Sequence, residues 1–158
     1  MKRHAHGSFA FAFRPEMTLI SAEGAWNQEC AELYTALIRT RVESHPDQIR
    51  CVIIDGRRWG LKTPESGRVI QESNRFISGY YKALYVAYLF SPENVHLGRY
   101  IIDADNRVGD AVLHWDFFLR LDDALSWLRS QGFDLPDVAD GDFPDPVPAE
   151  DYRHLLED

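Results

Sequence analysis

Near the start of the chain, apolar and polar positions alternate as they do in β-strands. Phe9, Phe11 and Phe13 are separated by small residues, which is typical of a half-buried strand. A turn is predicted at 14–16 and a second strand at 17–22. We therefore expect the two strands to pair as an antiparallel hairpin.

After the hairpin, the spacing of apolar residues changes to that of helices and buried strands. From Trp26 to about Glu43 they recur every three or four positions, which predicts an amphipathic helix that ends at His45-Pro46. The runs 49–54 and 83–90 are apolar on both faces, as strands with helices on both sides must be. A helix that begins at Thr63 is predicted between these two strands.

The pattern beyond residue 90 predicts a helix through Leu97 and Ile101, although 99–103 also fits a strand. Alternation over 115–121 predicts a final strand, and Asp122-Asp123 then begins a last short helix. The predicted element order is ββαβαβαβα, which indicates an α/β fold in one domain over residues 8–133.

The charge of −8 is concentrated at one end of the chain. Residues 134–158 hold nine acidic residues and one basic residue, whereas the other 133 residues hold 16 of each. Four of the eight prolines also lie there, so we expect an acidic, mostly mobile tail. Residues 1–7 are likewise predicted to be disordered. Because neither part is basic, a nucleic-acid partner is disfavoured.

Composition also bears on the compartment and on cofactors. No apolar run approaches the roughly 18 residues of a membrane helix, so no membrane span is predicted. Cys30 and Cys51 fall in a predicted helix and a predicted strand, which fits buried, reduced thiols in a cytoplasmic protein better than a disulfide framework. The histidines show no metal-ligand spacing, and neither a metal nor a cofactor is predicted.

The candidate chemistry is concentrated in 51–67. A predicted strand ends at Asp55-Gly56, a short polar loop follows, and a helix begins at Thr63, an arrangement that presents ligand groups at the carboxyl edge of an α/β sheet. The candidate ligand-binding residues are Asp55, Arg57, Arg58, Trp59, Thr63, Glu65 and Ser66.

These residues permit two interpretations. The guanidinium groups of Arg57 and Arg58 suit a carboxylate or a phosphate, and the indole of Trp59 suits a flat ligand. Alternatively the loop is solvated, its arginines pair with Asp55 or Glu65, and the indole covers the edge of the sheet.

Three stretches of the chain resemble the SpoIIAA-like group, which is related to STAS domains. They are ISAEGA at 20–25, CVIID at 51–55 and FFLRLDDALSWL at 117–128. The resemblance implies a mixed, mostly parallel five-stranded sheet with about four helices around it, and a regulatory or ligand-binding role.

In antagonist-type STAS domains the helix after the third strand begins with an Asp-Ser-x-Gly-like segment whose serine is phosphorylated. The matching stretch here is Pro64-Glu65-Ser66-Gly67. With Gly67 as the anchor, Glu65 takes the position of the phosphoserine, which argues against a phosphorylation switch. Ser66 lies three and four residues before Val69 and Ile70, and we expect it to face the core.

The first hypothesis is a non-enzymatic regulatory or protein-interaction module that binds a protein partner or a small ligand at the carboxyl edge of its sheet. The second is a carrier or sensor of an apolar or anionic small molecule, held between Trp59 and the helices. An enzyme is the third hypothesis, and a homodimer is left open. An apolar cavity would favour the carrier, and an exposed apolar patch near Trp59 would favour the interaction module. Two adjacent titratable groups in a cleft would favour the enzyme.

Overall fold

A six-stranded mixed sheet runs through the structure, a computed structural model that describes residues 3–109 and 111–156 apart from the side chain of residue 61. The strands are β1 (Ser8–Phe13), β2 (Thr18–Trp26), β3 (Cys51–Lys62), β4 (Leu84–Leu89), β5 (Leu113–Phe118) and β6 (Val147–Pro148). Their order is β5-β4-β3-β2-β1-β6, with β2 to β5 parallel and β1 antiparallel to both of its neighbours. The predicted α/β domain with a mixed, mostly parallel sheet is confirmed, with β6 as an additional strand.

Four α-helices in the described part of the chain cover the two faces of the sheet unequally. They are α1 (Gln28–Ser44), α2 (Pro64–Ser78), α3 (Val95–Asn106) and α4 (Leu121–Ser130). The first three pack on one face, and α4 packs on the other against β4 and β5. The helical state of α3 excludes the alternative of a strand at 99–103. None of these helices is both long and apolar enough to cross a membrane.

Each face of the sheet has its own hydrophobic core, which explains why β3 begins with an uninterrupted apolar run. Val52 and Ile54 belong to the core under α1, α2 and α3, whereas Cys51 and Ile53 belong to the core under α4. Cys30 and Cys51 are buried and free, as predicted, and burial raises the pKa of each thiol to about 12.

The prediction of a loop at Arg57, Arg58 and Trp59 is wrong, because these residues belong to β3. The strand continues to Lys62 because β2 pairs with it in parallel as far as Trp26. A shift in register after Ser21 allows the pairing to pass Gly56. A Cβ atom at Gly56 would lie 2.9 Å from Cε1 of Phe90, so the close approach of β3 to the end of β4 requires glycine there.

The acidic tail also differs from its prediction, because the structure places it against the domain. Leu135, Val138 and Phe143 are buried in the core under α4, and β6 pairs with β1. A 3-10 helix follows at Ala149–Leu155, and the Tyr152 ring stacks on the Phe9 ring with centroids 4.6 Å apart. The apolar residues are spaced between acids and prolines, so composition alone conceals them.

The N-terminal segment, predicted to be disordered, is likewise held by hydrogen bonds. The amide of His6 donates to Oδ1 of Asn27 over 2.9 Å, and the amide of Ala5 donates to Oε2 of Glu150 over 2.7 Å. The second bond joins the two ends of the described chain. Residues 1 and 2 lie outside the described part.

Candidate functional site

The last residues of β3 send their side chains to different surroundings, so the predicted ligand-binding residues do not converge on one site. Arg57 contacts the acidic tail on the α4 side of the sheet, whereas Trp59 packs into the core under α1, α2 and α3. Arg58 is exposed and lies 3.4 Å from a carboxylate oxygen of Glu23 on β2.

Arg57 is engaged by two carboxylates. Its Nε and Nη2 donate to Asp55 over 2.9 and 3.0 Å, and Nη2 also donates to Asp140 over 3.1 Å. The hydrogen bond to Asp55, reinforced by Asp140, raises the pKa of Arg57 above its usual value. The predicted alternative of an Arg57–Asp55 pair is confirmed, while an anion site at Arg57 and Arg58 stays a prediction.

The N-terminus of α2 has the predicted local structure. Oγ1 of Thr63 accepts a hydrogen bond from the amide of Ser66 over 3.2 Å, so Thr63 is the N-cap, and Pro64 follows it. Ser66 is fully buried, as expected, and its hydroxyl donates to the carbonyl oxygen of Trp26 over 3.1 Å. Glu65 is exposed to solvent. The hydroxyl of Ser66 therefore ties α2 to the end of β2.

A mostly apolar cavity of about 120 Å³ lies beside Trp59, between the end of β3 and α3. Its lining residues are Trp59, Gly60, Lys62, Phe90, Asn94, Leu97, Gly98, Ile101 and Ile102. The Trp59 and Phe90 rings are nearly parallel, with centroids 6.5 Å apart. Gly98 brings α3 directly against Phe90, since a Cβ atom there would lie 2.7 Å from Cζ of that ring.

Asn94 holds the wall of this cavity in place. Its Nδ2 donates to the carbonyl oxygens of Gly56 and Trp59 over 2.9 and 3.1 Å. Its Oδ1 accepts from the amide of Ser91 over 2.8 Å. The side-chain amide thus joins the start of α3 to the backbone of β3 on either side of Arg57 and Arg58.

A buried ion pair borders the cavity. The side chains of Lys62 and Asp105 are 4% and 5% exposed, and Nζ of Lys62 donates to Oδ2 of Asp105. The same nitrogen lies 5.2 Å from the centroid of the Trp59 ring, within the range of a cation–π interaction. Burial lowers the pKa of Lys62, and the nearby Asp105 carboxylate opposes that shift.

Polar side chains support the Asp105 end of this pair. Nδ2 of Asn74 donates to the carbonyl oxygen of Asp105 over 3.2 Å and to Oδ1 of Asn106 over 3.0 Å. Asn106 in turn donates to the hydroxyl of Tyr88 over 3.0 Å. A second cavity, of about 70 Å³, lies among these residues and shares Trp59, Lys62 and Ile102 with the first.

Two residues that line the cavity, Trp59 and Lys62, carry side-chain donors with unused hydrogen-bonding capacity toward the described part of the chain. Nε1 of Trp59 is buried and has no acceptor there. The ammonium group of Lys62 has three hydrogens, and Asp105 is its single hydrogen-bond partner among those residues. Buried donors are normally paired, so these two groups are exceptions within residues 3–109 and 111–156.

Sequence reasoning identified Trp59 but missed Lys62, Phe90 and Asp105. Lys62 directly precedes the predicted N-cap, and a single lysine there carries no signal of burial. Asp105 is 43 residues further along the chain. No group of three or more His, Cys, Asp or Glu side chains in residues 3–109 and 111–156 is placed to hold a metal ion.

No protein-family model matches the chain, and no curated protein matches it in sequence. A similar structure is the crystal structure of an uncharacterized protein of the DUF3478 family from Shewanella loihica PV-4, described as having a SpoIIAA-like fold. The two share 18% sequence identity with a TM-score of 0.57, over 81% of this chain and 98% of that one. The protein described here therefore has a SpoIIAA-like fold.

Proposed function

We propose that the protein is a carrier or sensor of a small molecule, and that its ligand binds in the cavity beside Trp59. The observation that carries this proposal is an apolar cavity lined by Trp59 and Lys62, two residues whose buried side-chain donors have unused hydrogen-bonding capacity. Concave apolar sites with a few inward-facing polar groups are the usual form of small-molecule sites.

The volume of the cavity limits the size of the ligand. An engineered cavity of about 150 Å³ in another protein binds benzene. The cavity here is slightly smaller, about 120 Å³, and its aromatic walls are Trp59 and Phe90. The ligand that fits this space has a single aromatic ring or a short branched chain.

The polar groups define the rest of the ligand. Because both Trp59 and Lys62 donate hydrogen bonds, the ligand carries an acceptor oxygen next to its apolar part. The charge of Lys62 is already balanced by Asp105, so a neutral acceptor fits better than a carboxylate, which would bring a second negative charge into a buried site.

The interaction module is a second candidate because α3 also presents apolar side chains to solvent. Tyr100 is 77% exposed and Leu97 is 48% exposed, and Leu97 also lines the cavity. A partner that contacts this surface would respond to occupancy of the cavity behind it. In this form of the proposal the ligand is the signal and α3 is the surface that transmits it.

Benzyl alcohol is a suitable probe, because it combines one aromatic ring with one acceptor oxygen. We expect saturable binding by isothermal titration calorimetry, with toluene binding more weakly. Trp59→Phe removes the indole donor and should weaken binding about twofold to tenfold, since a neutral hydrogen bond contributes about 0.5–1.5 kcal/mol.

A matched pair of variants tests the location of binding. Leu97 and Leu119 have similar exposure, 48% and 51%, but Leu119 does not line the cavity. Leu97→Trp places a larger side chain in the cavity wall and should weaken binding ~10-fold or more, whereas Leu119→Trp should have no effect. Equal affinity for both variants, or no binding to the unmodified protein, would contradict the proposal.

A further inference from the structure

The ion pair at the cavity includes a reactive type of side chain in an unusual place. Lys62 is the buried member of the two lysines that the structure describes, and Lys82 is exposed. A primary amine that borders an apolar cavity and contacts a carboxylate has the surroundings that lysine needs in order to react with carbonyl compounds.

We propose that Lys62 forms a Schiff base with a small aldehyde or ketone that enters the cavity beside Trp59. This inference rests on the proposed function, because it assigns the acceptor oxygen of the ligand to a carbonyl group. The site acts stoichiometrically: it captures its ligand through a reversible covalent bond, without turnover.

Asp105 supplies the proton transfers. Its carboxylate takes one proton from the Lys62 ammonium, and the free amine attacks the carbonyl carbon to form a C–N bond. The nitrogen loses a second proton as the oxygen gains one, which gives a neutral carbinolamine. Asp105 then returns its proton to the hydroxyl group, which leaves as water, and an iminium ion remains. The protonated amine and the carbonyl compound have become an iminium ion and water, and the total charge is unchanged.

The surroundings of the pair favour this product. The iminium ion carries the same single positive charge as the ammonium it replaces, so the Asp105 carboxylate stays paired. Burial lowers the pKa of Lys62, which makes the reactive amine more accessible than in an exposed lysine. The indole of Trp59, 5.2 Å from Nζ, lies where the ring of an aromatic aldehyde would pack.

The test uses benzaldehyde as the probe with the unmodified protein, followed by reduction with sodium cyanoborohydride. Intact mass spectrometry should show the addition of one benzyl group, and peptide mapping should place it on Lys62. We expect Lys62 to react at least ~10-fold faster than Lys82, because the cavity holds the aldehyde next to the amine. An excess of benzyl alcohol should slow labelling of Lys62 and leave Lys82 unaffected.

Three variants serve as controls. Lys82→Arg should leave the labelling of Lys62 unchanged. Asp105→Asn should slow it at least ~10-fold, since general acid–base groups contribute on that order or more. Lys62→Met combined with Asp105→Leu removes both charges together, so no unpaired charge is left in the core, and it should abolish the fast adduct.

The outcomes separate this inference from the proposed function. Labelling confined to Lys82 and other exposed amines, with normal binding of benzyl alcohol, overturns the Schiff base and leaves the binding site intact. Absence of both labelling and benzyl alcohol binding overturns both. Fast labelling of Lys62 that benzyl alcohol does not slow supports a reactive lysine but contradicts its assignment to this cavity.

Discussion

The two faces of the sheet at the end of β3 each carry a basic side chain paired with acid, but in opposite environments. Arg57 pairs with Asp55 and with Asp140, a residue of the acidic tail that is 70% exposed. Lys62 pairs with Asp105, and both side chains are almost completely buried. The first pair is partly exposed to solvent, since the Arg57 and Asp55 side chains are 33% and 16% exposed. The second pair borders an apolar cavity, where the loss of a charged partner costs more free energy than it does at the surface.

Arg57 and Arg58 are weaker candidates for a binding site than Lys62, although they attract attention first in the sequence. Water screens an exposed pair and competes with any ligand for its hydrogen bonds. A buried pair is neither screened nor solvated, so an unused donor there is costly, and an acceptor supplied by a ligand stabilises it.

The largest expected effect is the loss of stability when the acidic residue of each pair is replaced. Asp105→Ala leaves the Lys62 charge buried without a partner and should lower the free energy of unfolding by about 3–5 kcal/mol. Asp140→Ala removes an exposed partner and should cost less than about 1 kcal/mol. Urea denaturation monitored by circular dichroism measures both. Similar losses for the two variants would mean that the pairs do not differ as described.

The second effect concerns the glycine that allows α3 to approach Phe90. Gly98→Ala puts a methyl group against a buried ring and should destabilise the protein by about 1–3 kcal/mol. Gly141→Ala is the matched control, because a Cβ atom at Gly141 would meet no heavy atom within 4 Å. Thermal denaturation compares the two variants. An unchanged melting temperature for Gly98→Ala would show that α3 is not held against the ring.

The third effect is a dependence of stability on pH that belongs to the buried pair alone. The pKa of Lys62 is lowered in the folded protein, so between that pKa and the usual value of 10.5 the unfolded chain binds more protons. The contribution of Lys62 to stability therefore rises with pH across this window. Arg57 contributes no such slope, because its pKa is raised and the group stays charged in both states.

Other buried groups also titrate at high pH, and their contribution to the pH dependence of stability has to be subtracted. Tyr34 and Tyr88 line the second cavity, and burial raises the pKa values of both tyrosines, which lowers stability above about pH 10. Subtracting the pH profile of the Lys62→Met/Asp105→Leu variant cancels their shared contribution. A difference profile that falls or stays flat with rising pH would contradict the lowered pKa of Lys62.

The smallest expected effect is on the side of the sheet that carries Arg57. Changing Arg57 and Arg58 together to Ala should alter the affinity for benzyl alcohol less than ~2-fold, since neither guanidinium lines the cavity. A larger loss of affinity would mean that residues on both faces of the sheet belong to one binding site. The same variant tests the predicted anion site, because loss of sulfate-induced thermal stabilisation would support it.

Local patterns in the sequence predict most of the fold. Thr63 and Pro64 mark the start of α2 because capping depends on neighbouring residues, and the inward orientation of Ser66 follows from helical spacing. The continuation of β3 beyond Gly56 is not predictable in this way. It depends on pairing with β2, whose residues lie more than 30 positions earlier in the chain.

The site is predictable only in part, for the same reason. Trp59 is recognisable as a large aromatic residue near the end of a strand, but its environment comes from Phe90 and from α3. Lys62 and Asp105 become a pair only when β3 and α3 are packed together. The anchors of the tail, such as Phe143, are likewise defined by a surface formed elsewhere in the chain.

The indole N–H signals of the tryptophans provide the most direct test of the cavity as the binding site. Nε1 of Trp115 donates to Asp103 over 2.8 Å and Nε1 of Trp26 donates to the carbonyl oxygen of Glu23 over 3.3 Å, whereas Nε1 of Trp59 is buried without an acceptor in the described chain. In a heteronuclear NMR titration with benzyl alcohol, the Trp59 signal, assigned by its loss in Trp59→Phe, should shift downfield and saturate, while the Trp115 signal stays in place. A Trp59 signal that does not move while benzyl alcohol binds elsewhere, or does not bind, would contradict the account.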